Sequence, residues 1–324
     1  MGDPAGIGPE IIVKAFSDRS LEKVCRPLVV GDARWLKIHA DRFSPSLALR
    51  PADSLGDTRF EPGVLEVLDR ATVPPHLKLG EPSREGGEAA VDCIRTAVTL
   101  ARDHQVDAIT TAPINKESLH LAGYPYPGHT ELLAELTGAE QVALMLAGRN
   151  LRVVLATTHI PLNQVTSHLT RKSLAGVLQL THRWLEHHVT PTPRIAVTGL
   201  NPHCGDGGIF GREEQDLILP TLDTVRSQGL AVFGPFSADS LFAQRRYENY
   251  DAVVTMYHDQ GMIPVKMESM GQAVNITLGL PILRTSVDHG TAYDRAGKGT
   301  ASVESLQTAL RTAAALCKPS LASP

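Results

Sequence analysis

Short apolar runs punctuated by Gly, Pro and polar clusters alternate along this chain with longer stretches of helical periodicity, the pattern of an α/β architecture. Residues 27–31 (PLVVG) read as a strand. Residues 87–104 read as a helix with Val91, Ile94 and Val98 on one face, and 106–111 as a strand running into the loop APINK. A helix is predicted over 173–188, its apolar side formed by Val177, Leu178, Leu180, Trp184 and Leu185. Another is predicted over 212–228, which Pro220 should kink or split because proline has no backbone N–H to donate. A last amphipathic helix is expected over 303–316, followed by a frayed tail, PSLASP. Weak periodicity and many Pro and Gly over 49–83 read as a loop-rich insertion. There is no internal repeat and no low-complexity linker.

Three strand-like runs end alike. Residues 151–156 precede TTHIP, 194–200 precede NPHCG and 251–256 precede YHDQG, so His159, His203 and His258 each sit just past a strand. If the strands are parallel members of one sheet, their carboxyl ends share a rim, where open α/β sheets place ligands. Three neutral imidazoles that leave positions open suit a catalytic divalent metal, and nitrogen ligands favour Zn²⁺ or Co²⁺ over Ca²⁺. The alternative is that each is a polar loop residue; recurrence after strands beside Gly or Pro favours the metal. Cys204, next to His203, reads as a small semi-buried thiol before it reads as a further ligand.

The opening MGDPAGIGPE combines glycines at 2, 6 and 8 with Pro9 at a helix start, so backbone N–H groups and a helix N-terminus are expected to cradle a phosphate or carboxylate. Such a loop ordinarily follows a strand, and here Met1 precedes it directly; either the start lies upstream or that strand is lacking. In YPYPGHTE a rigid turn presents His129 and Thr130 ahead of a helix. Downstream, Lys266, Asn275 and Arg284 complete a donor set suited to a phosphorylated or carboxylate substrate. Asp239, in GPFSADSLF, caps a helix, orients a ligand or lies near the metal, with capping weighed first.

At 324 residues the chain exceeds what one hydrophobic core usually serves, so two domains or lobes are expected. A formal net charge of −4 leaves no footprint for nucleic acid or an anionic membrane. The four cysteines form no CxxC pair, which fits a reducing compartment. No signal-like start and no membrane-length apolar run are present, so a soluble, cytoplasmic protein is expected.

Across nearly its whole length the chain resembles the 4-hydroxythreonine-4-phosphate dehydrogenase (PdxA) family of pyridoxine biosynthesis. The segments that carry the resemblance are MGDPAGIGPE, TAPINKESLHLAGYPYPGHTELL, ATTHIPL, GLNPHCGDGGIFGREE, MYHDQG and AVNITLGLPILRTSVDHGTAYDRAGKG. It implies an isocitrate/isopropylmalate dehydrogenase-like three-layer α/β/α fold of two lobes with a cleft. Residues 1–127 with 280–324 would form the cofactor-side lobe, and 128–279 the metal- and dimer-side lobe. By motif it implies His159, His203 and His258 as metal ligands, and His129, Thr130, Lys266, Asn275 and Arg284 as substrate contacts. Lys266 and Asp239 are the catalytic candidates. Gly279, Ser286, Asp288, His289, Gly290 and Asp294 are expected on the nicotinamide-cofactor side, which no Rossmann-type GxGxxG serves. The implied reaction is NAD-dependent (or NADP-dependent) oxidation of 4-phosphooxy-L-threonine, assisted by a divalent metal, zinc first and cobalt or magnesium otherwise. The β-keto acid formed then loses carbon dioxide to give 3-amino-2-oxopropyl phosphate. A homodimer with its site at the subunit interface is also implied. Sibling dehydrogenases of phosphorylated erythronate or threonate, or of aromatic cis-dihydrodiols, are the alternative, and a metal-dependent hydrolase or a non-catalytic anion-binding protein a distant one. Met267-Glu268-Ser269-Met270 departs from the family pattern.

Overall fold

Eleven strands form among residues 1–317, the part of the chain that the computed structural model describes. They are β1 Leu28–Gly31, β2 Ala48–Ala52, β3 Val64–Asp69, β4 Ala108–Thr111, β5 Ala143–Ala147, β6 Arg152–Leu155, β7 Arg194–Thr198, β8 Ala231–Phe236, β9 Ala252–Thr255, β10 Val274–Leu278 and β11 Leu283–Ser286. The chain is of the mixed α/β class, as expected, and its described residues divide into two compact units: 1–139 with 280–317, and Glu140–Gly279. The tail PSLASP lies outside the described residues.

In the first unit β1, β3 and β2 form a parallel sheet in that order. Two of these strands fall within 49–83, so the loop-rich insertion expected there is corrected to part of a sheet. The pattern was obscured for a physical reason. β3 is the middle strand, its inner residues Leu65 to Leu68 all buried, and a strand buried on both faces shows no alternation. Its buried charge, Glu66, lies against Arg50 Nη1 at 3.1 Å and accepts from the amides of Arg59 and Phe60. β2 carries Pro51 on the edge, where proline is tolerated. A second parallel pair joins β4 to β11. The helix Gly8–Phe16 buries Ile11, Ile12, Val13 and Phe16 in one core with Trp35, Leu36, Val67 and Leu306.

In the second unit the strand order is β10, β5, β6, β9, β7, β8. β5 runs antiparallel to β10 and β6, while β6, β9, β7 and β8 are mutually parallel. Leu146, Val153, Val253 and Ala196 lie side by side in register and share a core with Met262 and Val265 of the helix His258–Ser269. Their neighbours Met145, Val154, Val254 and Val197 alternate to the opposite face and are also buried. Buried on both sides, these strands read as continuous apolar runs. The helix expected over 212–228 is divided, as Pro220 predicted. A π-helical turn, Glu214–Ile218, runs into Leu219–Ser227 with the proline in its first turn, where no N–H is needed.

Candidate functional site

The neighbouring parallel strands β6, β9 and β7 deliver the loops bearing His159, His258 and His203 to one rim of the second unit. The ring centroids of His159 and His258 are 5.5 Å apart. His258 Nδ1 lies 2.7 Å from Asp259 Oδ1, a carboxylate acceptor that keeps an N–H on that nitrogen and directs any metal to Nε2. His203 is exposed on the next loop. The Ser237 hydroxyl, then the Ser240 amide, hold the Asp239 carboxyl below the usual carboxylate range, with His203 a smaller contributor. Among the described residues no group of three His, Cys, Asp or Glu side chains closes around one point, so the structure pairs two of the three imidazoles and carries the third on the adjoining loop. Capping, the first role weighed for Asp239, is corrected: Ser237 is the N-cap of the helix Ala238–Ala243, and Asp239 is a first-turn acid that accepts from the Ser237 hydroxyl.

The His203 loop is conformationally unusual. His203, Cys204, Gly205, Asp206 and Gly207 are consecutive left-handed residues, with φ between 41° and 79°. Three of them carry a Cβ, which disfavours this region. The loop is held by Glu214, buried in the π-helical turn. Its Oε1 accepts from the amides of Leu200 and Asn201, both at 2.8 Å, and its Oε2 from Asn201 Nδ2 at 3.0 Å. Burial raises the pKa of the Cys204 thiol, which fits the thiol reading rather than a ligand. Lys266 is exposed two turns along the helix that His258 begins. Asn275, on β10, has a buried Oδ1 with no hydrogen-bond partner.

The first unit holds a different kind of centre. Arg284, on β11, is 2 % exposed, and its guanidinium donates to Thr111 Oγ1 from Nε at 3.2 Å and Nη2 at 2.7 Å. Desolvation pulls its pKa down to about 9. His129 opens the helix His129–Thr137, with Thr130 next. Burial, then the Arg284 charge, hold this imidazole well below its usual range, so it is neutral at pH 7, and its Nε2 is buried without a partner. A desolvated cation beside a neutral imidazole with an unused ring nitrogen is the chemistry of an anion receiver.

The glycine-rich opening is a correction. Rather than facing an anion, residues 1–13 are buried, and four of the loop's amides are already engaged. Asp3 N donates to Pro113 O, Ala5 N to Asp3 Oδ1, Gly6 N to Asp3 O and Ile7 N to Thr291 O. The negative group that the glycine loop awaited is its own Asp3, whose Oδ2 also accepts from Tyr293 OH at 2.7 Å. Gly2, at φ +76°, is required because a Cβ would lie 2.5 Å from Pro113 O. The opening instead braces 291–301. Buried Glu10 accepts from Gly299 N and Ala301 N, and Lys14 Nζ donates to Gly299 O and Ala301 O.

Of the residues expected on the cofactor side, Ser286 is buried, with its hydroxyl on backbone carbonyls of Thr111 and Val287. Asp288 N donates to Ser305 Oγ, while His289, Gly290 and Asp294 are exposed. Gly279 belongs to the second unit. Sequence reasoning missed Glu214, Gln260 and Thr157, whose side chains fix the histidine loops. They lie in GREE, HDQG and TTH, within or beside motifs already singled out, where no letter marks a backbone contact.

Fold and site thus define an α/β protein with a histidine-bearing sheet rim in one unit and a buried arginine with a neutral histidine in the other. Residues 23–313 match the family model described as pyridoxal phosphate biosynthetic protein PdxA. The chain belongs to that family. It is 47 % identical over 97 % of its length to a 4-hydroxythreonine-4-phosphate dehydrogenase of Desulforapulum autotrophicum, covering 93 % of that protein. It is 45 % identical over 98 % of its length to a D-threonate 4-phosphate dehydrogenase of Cupriavidus necator, covering 95 % of it. Among solved structures it is similar to a 4-hydroxythreonine-4-phosphate dehydrogenase from Klebsiella pneumoniae, with a TM-score of 0.92, 44 % identity and coverage of 98 % of this chain and 96 % of that one.

Proposed function

We propose that the protein is a nicotinamide-dependent dehydrogenase that oxidises the secondary alcohol of 4-phosphooxy-L-threonine, with loss of carbon dioxide to give 3-amino-2-oxopropyl phosphate. The observation that carries this reading is the pairing of His159 and His258 on one rim, in a chain of this family. The donor set fits a divalent metal: two imidazoles 5.5 Å apart, one of them with Nδ1 committed to a carboxylate, and a third on the adjoining loop. His159, His258 and His203 would hold it, zinc first and cobalt or magnesium otherwise, and when bound it would supply Lewis acidity toward the alcohol oxygen.

The remaining roles fall to the chain's own side chains. Arg284, neutral His129 and Thr130 receive the substrate's phosphate, and the energy of that remote contact orients the reacting carbon. Lys266 takes the alcohol proton, Asn275 donates through its amide while its buried Oδ1 accepts a substrate donor, and Asp239 orients His203. Hydride passes to NAD or NADP, held on the side of Ser286, Asp288, His289, Gly290 and Asp294, with Gly279 assigned the same role. A homodimer that completes the site is supported by the apolar surface of the second unit. Met267 and Met270 are 75 % and 87 % exposed, and Leu162, Ile209, Phe210 and Ile263 are exposed as well.

One observation favours a second reading, the relative named D-threonate 4-phosphate dehydrogenase at 45 % identity. The two substrates share the phosphate and the reacting alcohol and differ in whether the neighbouring carbon carries an amino or a hydroxyl group. Steady-state kcat/KM on both, with metal and either nicotinamide cofactor, separates them. Higher kcat/KM for 4-phosphooxy-L-threonine is expected. The reverse ratio establishes the second reading, and no turnover of either with both cofactors refutes the dehydrogenase.

A further inference from the structure

The three histidine loops leave the sheet from three different strands, and the ladder of backbone hydrogen bonds ends before the histidines begin. Their spacing therefore needs something beyond the sheet. Gln260, in the first turn of the helix His258–Ser269, occupies that position. Its Oε1 accepts from Met256 N and from Thr198 Oγ1, both at 2.8 Å, and its Nε2 donates to Gly199 O at 2.7 Å. One amide thus ties the end of β9, two residues before His258, to the end of β7, four residues before His203. On the other side Thr157 Oγ1 donates to Met256 O at 2.6 Å, two residues before His159. The Met256 peptide is clasped on both sides, its N–H by Gln260 and its carbonyl by Thr157. Thr198 and Met256 are fully buried and Thr157 nearly so, so water does not substitute for these contacts, and losing one leaves a desolvated polar group.

Only an amide satisfies the three partners of Gln260. A carboxylate would accept from Met256 N and Thr198 but would face the Gly199 carbonyl with no donor, and an ammonium could not accept. Glu214 continues the belt by fixing Leu200 and Asn201.

We infer that Gln260, seconded by Thr157, is a positioning residue that fixes where the His203, His159 and His258 loops stand at this rim, and so how one protomer presents its imidazoles to the metal sites of the proposed dimer. This rests on the proposed role of the three histidines as metal ligands. The test uses the full chain stripped of metal and titrated with Co²⁺, whose visible d–d absorption reports coordination geometry. The proteins compared are wild type, Gln260→Met, Thr157→Val and a control, Thr221→Val, which removes a buried hydroxyl bonded to Leu217 O within the same unit. Apo-protein melting temperatures are measured in parallel.

The expected result is a ten- to hundredfold loss of Co²⁺ affinity with an altered d–d spectrum in Gln260→Met, the usual size of an outer-shell effect. Thr157→Val should change the spectrum in the same sense by less, and Thr221→Val should lower the melting temperature while keeping wild-type affinity and spectrum. If Gln260→Met does not fold, Thr157→Val, which alters one hydroxyl, decides alone. Wild-type affinity and spectrum in the belt variants would overturn the inference while leaving the metal reading intact. A wild type that binds no Co²⁺ would overturn both.

Discussion

At the scale of single residues, the pair His129 and Arg284 concentrates the consequences of burial. His129 has a folded-state pKa depressed below its unfolded value. Its contribution to stability is therefore complete above pH 6.5 and is lost as pH falls below it, because the unfolded chain binds a proton that the folded one refuses. The expected slope is at most about 1.4 kcal/mol per pH unit. Urea titrations between pH 7 and 5 should show it, and His129→Gln should flatten it; an unchanged slope in the variant would remove His129 as the cause. Arg284→Ala should cost about 1.5–3 kcal/mol of transition-state binding for the phosphorylated substrate, near ten- to a hundredfold in kcat/KM, and much less for the non-phosphorylated analogue. Equal losses would place the phosphate elsewhere. Residues such as these were legible because their chemistry is written in their type and setting: a histidine behind a rigid Tyr-Pro turn at a helix start, an arginine in an apolar run. Gln260 and Glu214 were not, because their partners are backbone groups of segments distant in sequence, and nothing in the letters Q or E announces a buried backbone contact.

At the scale of elements, the sheet carrying the histidines was readable and the one opposite in character was not. β6, β7 and β9 are apolar runs closed by polar loops, whereas β2 is broken by Pro51 and β3 by buried Glu66, in a stretch rich in Pro and Gly that reads as an insertion. The helix boundaries moved by a turn or less where capping decided them. Ser83 accepts from Gly86 N and starts its helix three residues before the expected position. The left-handed run 203–207 was invisible, since only two of its five residues are glycine. Gly205→Ala should destabilise the protein by roughly 1–2 kcal/mol from backbone conformation alone, and more because the new Cβ would stand 2.7 Å from Gly211 O and 2.8 Å from Glu214 Oε2. Chemical denaturation measures this. A variant as stable as wild type would show that the loop relaxes freely and does not impose a fixed position on His203.

At the scale of the whole molecule, the proposed homodimer makes a prediction about the exposed stripe Ile263, Met267 and Met270, spaced by about one helical turn on or just beyond one helix. Ile263→Asp with Met267→Asp should shift sedimentation from dimer to monomer and lower turnover. A monomeric wild type, or a dimer untouched by both charges, would rule out this face. The bracing of 291–301 by the chain's opening also reaches beyond the native state. Glu10 and Lys14 meet Gly299 and Ala301 across sequence separations of 285 to 291 residues, and the first unit is assembled from two pieces with Glu140–Gly279 between them. During synthesis the second unit is complete as a continuous stretch before the ribosome has made the residues that Glu10 and Asp3 require. The opening hundred or so residues must therefore wait, with Ile11, Val13 and Leu36 still lacking Leu306 of the last helix, and domains in that condition depend on chaperones and fold slowly for their size. A segment that looks like a ligand loop in sequence is, on this account, a seam closed last.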